Sequence, residues 1–389
     1  MEVTPPNSWY NYLSAMLKKI FSVVVIFTLL VILSSRIAKA QSSVPAPDTF
    51  YRATVVALSN GELVTNAGTN PFQEVEVKFL NGDMAGKEMT IEYGKDMNLM
   101  KDQLINVGDT VVIDKTLGPG NQATYQITDE YRLNSVWPII ILFFLIIILL
   151  SQWKGVGSIV GMVISLAVIL KFIVPEILAG HNPLTISIIG CLIIMVTTIY
   201  LAHGFSTKIS IAVLSTFITL VGIGILSTLF VKLTFLTGLG SEDAASLRFG
   251  ATSNIDFRGL LLGGILIGAL GVLDDVTTGL SASVFELAKA NPALKFRQLF
   301  AAGLSIGREH ISSLVNTLVL AYAGSGLPIF LMIILNVNHS PSWLILNDGL
   351  IIEEAVRTLS GSIGLVAAVP LTTFFAAFYL TELKKKSAK

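Results

Sequence analysis

The chain has 389 residues, of which 53% are hydrophobic and only 13% charged, and its formal net charge is zero. Soluble domains carry about 25% charged residues, so the composition excludes an ordinary soluble protein, and the zero balance gives no bulk attraction to nucleic acid. The single cysteine, Cys191, lies in an apolar run, which excludes an internal disulfide and a cysteine cluster for zinc.

The N-terminus reads as an export signal. Lys18 and Lys19 precede the apolar stretch from Ile20 to Leu33, and Ala38-Lys39-Ala40 has the small-x-small pattern that signal peptidase cuts. Residues 1–40 are expected to be a signal peptide or an uncleaved signal anchor. Both readings place the next segment outside the membrane.

From 42 to 132 the charges return and long apolar runs vanish. Val75, Val77 and Phe79 alternate with Glu74, Glu76 and Lys78; Met89, Ile91 and Tyr93 alternate with Glu88, Thr90 and Glu92. Ala123, Tyr125 and Ile127 repeat the pattern. Alternation with a period of two predicts strands with one wet face. Asn81-Gly82-Asp83 and Gly118-Pro119-Gly120-Asn121 read as turns between them. The expectation is an extracytoplasmic β-rich domain of five or six short strands closing into a small barrel, possibly of the OB type. No aromatic platform or basic stripe suits it to nucleic acid.

After Trp137-Pro138 the chain becomes membrane-like, and about seven spans are predicted, near 137–152, 156–178, 183–202, 209–235, 257–279, 313–335 and 361–381. The fold class is thus a polytopic α-helical membrane bundle over 137–381, ending in a basic cytoplasmic tail at 382–389. Lys154, Lys208, Lys289, Lys295, Arg297 and Arg308 fall on the predicted inner side, and Glu242, Asp243, Asp348, Glu353 and Glu354 on the outer side. Gly157 with Gly161, and Gly264 with Gly268, are spaced for close helix packing, either within one bundle or along a dimer seam.

The stretch 257–330 is the most distinctive. It contains Gly268-Ala269-Leu270-Gly271-Val272-Leu273-Asp274-Asp275-Val276, then Gly303-Leu304-Ser305-Ile306-Gly307-Arg308-Glu309-His310, then Ser313-Leu314-Val315-Asn316-Thr317 running to Gly324. In these motifs the chain resembles the YibE/F-like family of bacterial multi-pass membrane proteins. The resemblance implies a polytopic inner or plasma membrane protein, and it transfers no catalytic residues.

Asp274 and Asp275 follow a long apolar stretch. A carboxylate inside a bilayer costs at least about 2.5 kcal/mol, so the pair marks either a polar pathway or a wet helix end. Adjacent helical residues point about 100° apart, so the two cannot share one narrow site. Thr278, four residues on, is placed to donate to the Asp274 carboxylate. Asn316 and Tyr322 lie among apolar neighbours in the sixth span, where Asn316 could bond toward Asp274 across helices or serve as interhelical glue. Gly324, Gly326 and Pro328 predict a break in that span, either an ion-holding discontinuity or a plain kink.

Enzymatic readings find little support. Gly303-Leu304-Ser305-Ile306-Gly307 matches a nucleophile elbow, but the elbow needs a strand before it, and here it falls between membrane helices. Adjacent aspartates cannot form a proton-sharing dyad alone, and neither a zinc motif nor a phosphate loop is present. No cofactor and no metal is implied.

The leading expectation is a transporter or permease for a small solute or ion. Asp274 or Asp275 would bind a cation or relay a proton, while Thr278, Asn316 and Tyr322 shape the path. The alternative is a non-transporting scaffold in the lipid bilayer whose outer domain recruits an extracytoplasmic protein partner.

Overall fold

The computed structural model describes residues 49–65, 68–95, 99, 103–117, 122–249, 255–335 and 341–387; the expected export signal at 1–40 and the turn at 118–121 lie outside them. The chain divides into two compact units, one on residues 41–146 and one from residue 147 onward.

The first unit is built on five antiparallel strands: β1 (Thr49–Thr65), β2 (Gly68–Phe79), β3 (Glu88–Tyr93), β4 (Thr110–Leu117) and β5 (Ala123–Glu130). Their order across the single sheet is β3-β2-β1-β4-β5. The alternation in the sequence decides which side chains go inside, because successive residues of a strand face opposite ways. Val75, Val77, Phe79, Ile91 and Ile127 are buried, together with Tyr51, Ala53 and Val55 of β1 and Val111 and Ile113 of β4. The β1–β2 register slips between Val55 and Ala57, and the β4–β5 register slips between Val112 and Ile113. Extra residues of this kind bend a strand, and the sheet curls into a half-barrel.

The expected closed barrel is corrected to an open one. Closure needs the strand stagger to bring both edges into register. Here β3 and β5 approach one another but stay unpaired edges.

Two polar ties fasten the connecting segments to the sheet. Buried Gln73 exchanges two hydrogen bonds with the Ile105 backbone, donating from Nε2 at 3.0 Å and accepting at Oε1 at 2.8 Å. The Tyr51 hydroxyl donates to Asp83 Oδ1 at 2.5 Å, joining β1 to the turn between β2 and β3.

From Leu133 onward the described chain is helical. α1 (Leu133–Trp153) and α2 (Gly155–Leu178) meet at a kink where Gln152 takes a φ of 51°. α3 (Pro183–His203), α4 (Thr207–Leu233), the short α5 (Glu242–Phe249) and the long α6 (Phe257–Ala290) follow. Then come α7 (Phe296–Ser325), α8 (Leu327–Leu335), α9 (Ser342–Leu346) and α10 (Gly349–Ser387). Among the described residues six helices are long and apolar enough to cross a membrane, namely α1, α2, α3, α4, α6 and α10. The expected span at 313–335 falls on the second half of α7 and on α8, which are separated at Gly326. The segment expected as a tail continues α10 as far as Ser387.

α6 packs against α3, α4, α7 and α10, and α10 also packs on α4 and α7. Glycines set these distances. A Cβ on Gly263 would collide with Ser187, one on Gly364 with Ile223, and one on Gly307 with Val369. Gly157 and Gly161 are used inside the bundle: a Cβ on Gly157 would lie 2.6 Å from the Leu201 carbonyl oxygen, and one on Gly161 would lie 3.5 Å from Thr198. Gly268 faces open space instead.

The tie in the first unit has a pH signature. The hydrogen bond to Asp83 pushes the Tyr51 phenol up to about 12, and the same bond holds the Asp83 carboxyl below its ordinary value. Free tyrosine and aspartate titrate near ~10 and ~3.9. The tie therefore contributes fully between those values. It is lost as pH rises through about 12 and as pH falls through the depressed Asp83 pKa. An absorbance titration of the native protein minus that of Tyr51→Phe should show one phenol ionising near pH 12, and Asp83→Asn should bring it back toward ~10. A Tyr51 signal at the ordinary pH in the native protein would contradict this.

Candidate functional site

The two carboxylates lie on α6, the helix with neighbours on most sides. Its apolar residues Leu266, Leu270 and Leu273 are buried, as are Val276 and Leu280. Asp274 is half-buried and Asp275 exposed, as expected of neighbours that point about 100° apart. The Asp274 Oδ1 atom is buried and has no hydrogen-bond partner among the described residues.

Contacts between helices set the depth of this residue. Ser281 Oγ donates to the Lys208 carbonyl oxygen at 2.7 Å, so Ser281 is level with the first turn of α4. Asp274 is two turns deeper along α6, roughly 10 Å at 1.5 Å per residue. Between these levels Thr277 and Thr216 join α6 to α4 through a hydroxyl pair 2.7 Å apart.

Thr278 is buried, but its hydroxyl donates to the backbone oxygen of Asp274 at 2.8 Å. The expected donation to the carboxylate is not made. A threonine on a helix readily reaches the carbonyl one turn back, and that nearer acceptor takes the proton.

Asn316 does not reach Asp274. α7 turns Leu304, Ile311, Leu314 and Leu318 toward Val276 and Leu280 of α6 and toward α10. Asn316 lies two residues from both Leu314 and Leu318, on the opposite side of the helix, and is exposed. Tyr322 falls in the last turns of α7, and its side chain lies outside what is described. α7 ends at Ser325 and α8 starts at Leu327, so the break falls at Gly326, and Gly324 lies in the last turn of α7. Pro328 sits in the first turn of α8, where a missing N–H costs nothing. The Gly326 carbonyl accepts from the amides of Ile329 at 2.9 Å and Phe330 at 3.3 Å.

Sequence reasoning missed the buried hydroxyls of α6 and of two helices packed against it. α4 contributes Ser215, Thr216, Thr219 and Ser227, α6 contributes Thr277 and Ser281, and α10 contributes Ser360, Thr372 and Thr373. Several bond back to their own helix, as Ser215 does to Ile211 at 2.8 Å and Thr373 to Val369 at 2.8 Å. Ser227, Ser360 and Thr372 have no partner among the described residues. The only sequence signal was Ser and Thr recurring inside apolar runs, and such residues are common in membrane helices of every kind.

The arrangement can hold or pass a proton or a cation at Asp274, since the carboxylate has an open lone pair and hydroxyls near its level. Two clefts of the bundle, of about 310 and 410 Å³, are lined by other residues. The Gly303-Leu304-Ser305-Ile306-Gly307 motif, expected between helices, lies inside α7 with Gly303 and Gly307 packed on α10. Its glycines are explained by that close approach.

A family model described as YibE/F-like protein matches residues 139–382, well over half of the chain. Neither a curated protein nor a solved structure matches it.

The Thr216–Thr277 pair should carry a measurable coupling. Thr→Val at each position keeps the shape and removes the hydroxyl. A double-mutant cycle followed by unfolding in detergent should give a coupling of about 0.6 kcal/mol, and no more than about 1.7. A coupling of zero would mean the hydroxyls bond only to their own helices.

Proposed function

The chain belongs to the YibE/F-like family, and on that premise we propose that it is a cell-membrane permease for a small solute or ion. The observation that carries this reading is the buried, unpartnered Oδ1 of Asp274 about two turns inside the helix bundle. A charge there costs at least about 2.5 kcal/mol, and such residues usually mark ion or proton paths. In this reading Asp274 binds a cation or relays a proton, and Asp275 serves the same path from the open side of α6. Thr278 holds the local backbone, while Asn316 and Tyr322 belong to the α7 side.

α7 and α8 together form the seventh span, interrupted at Gly326 in the manner of the broken helices of transporters. The β unit is extracytoplasmic and the C-terminus cytoplasmic. Charge supports this orientation: Lys208, Lys289, Lys295 and Arg297 gather where α4 starts and α6 ends. At the other end Lys232, Arg248 and Arg258 are outnumbered by Glu242, Asp243, Asp256, Asp348 and Glu353.

One observation favours a scaffold that transports nothing. The two larger clefts bypass Asp274, and several of the buried hydroxyls bond to their own helices. The outer β unit would then recruit a protein partner, and the polar residues would only fix packing.

Proteoliposomes offered a mixed solute extract decide between the two. The permease reading expects protein-dependent uptake, read by mass spectrometry of the vesicle contents, and at least about a tenfold loss in Asp274→Asn, the effect of 1.4 kcal/mol or more. Equal uptake by the variant removes that carboxylate from the mechanism. No protein-dependent uptake of any solute favours the scaffold.

A further inference from the structure

A second acidic residue is buried at the opposite end of the bundle. Beyond α4 the segment Thr234–Gly240 turns back over the start of α6, where Gly238 meets the Phe257 carbonyl, and then passes the start of α10, where a Cβ on Gly240 would lie 2.8 Å from Gly349. Glu353, in the second turn of α10, is only 6% exposed. Its Oε1 accepts the Gly240 N–H at 3.0 Å. A Cβ on Gly240 would also lie 2.9 Å from the other oxygen, Oε2, so only glycine lets the loop come this close. Among the described residues Oε2 has no hydrogen-bond donor and no cation. Arg357, one turn further along, is engaged by Glu354 at 3.3 Å. A buried carboxylate with one neutral donor and no positive partner is expensive, and it suits a ligand that brings the charge.

Glu353 lines a cleft of about 410 Å³ together with Phe235, Leu236, Thr237, Asn347 and Ile352. That volume is in the range of small-molecule sites, about 300–1,000 Å³, and is far larger than a bare ion needs. Among the described residues no three His, Cys, Asp or Glu side chains gather, so the donor set is not that of a divalent metal. Phe235 stands at the mouth, 85% exposed, on a backbone with φ 54°. Bulky residues seldom take that conformation, and it is held here on the wall of the cleft that Glu353 also lines.

We propose that this cleft binds a small organic cation, with its ammonium group on Glu353 Oε2, its apolar part against Leu236 and Ile352, and Phe235 over the charge as a cation–π partner. The site does not depend on the transport reading, and its binding is measured without any flux.

The test is calorimetric titration of n-butylammonium chloride into the full-length protein in lipid nanodiscs, with sodium chloride at equal ionic strength as reference. Saturable heat is expected with n-butylammonium and not with sodium. Glu353→Gln keeps an oxygen for the Gly240 N–H and should weaken binding at least about tenfold. Phe235→Ala, at a side chain that the fold leaves exposed, should weaken it about two- to tenfold and carries the test alone if Glu353→Gln does not fold. The proposal is overturned by an absence of saturable heat, by unchanged affinity in the variants, or by sodium binding with the same dependence on Glu353.

Discussion

Lipid offers a polar group no partner, and that constraint shapes the helical unit. A hydroxyl or carboxylate among the apolar runs is stabilised by an acceptor on its own helix, a neighbour across a tight contact, or a ligand, and is costly without one. Ser215, Thr219 and Thr373 take the first course, and Thr216 with Thr277 takes the second. The second course needs helices close together. At other helix pairs glycines set the approach: Gly263 brings α6 onto α3, Gly307 brings α7 onto α10 and Gly364 brings α10 onto α4.

Under the same constraint the buried Glu353 and the half-buried Asp274 behave differently. Glu353 is met by the Gly240 N–H from a loop that only glycines allow to approach. Asp274 has a carboxylate oxygen that nothing described meets, and its neighbour Thr278 spends its hydroxyl on the backbone. One acid fastens a loop with an oxygen to spare; the other adds little to packing. The contrast explains why α6 is read as carrying chemistry although its remaining buried surface is that of an ordinary packed helix.

Much of this was legible in the sequence. Val75, Val77 and Phe79 announced an inward strand face, and the apolar runs announced the helices, because periodicity and length are local properties. How far the sheet curls was not legible, since the curl depends on bulges near Val55 and Val112 that composition does not mark, and the unpaired edges depend on strand stagger. The face of Asn316 was not legible either. Which side of α7 is covered depends on where α6 and α10 lie, and one chain read alone does not say. Glu353 was hidden for the same reason: beside Glu354 it reads as an ordinary loop charge, and only the return of the 234–240 segment buries it.

A spin label measures directly whether position 274 lies at lipid depth within the bundle. In a chain with Cys191→Ala and Asp274→Cys, the label's collisions with a water-soluble nickel chelate are compared with those of a label at exposed Lys295, in the turn after α6. Strong shielding at 274 relative to 295 is expected. Equal access of the chelate to both positions would place the aspartate in bulk water and contradict that depth.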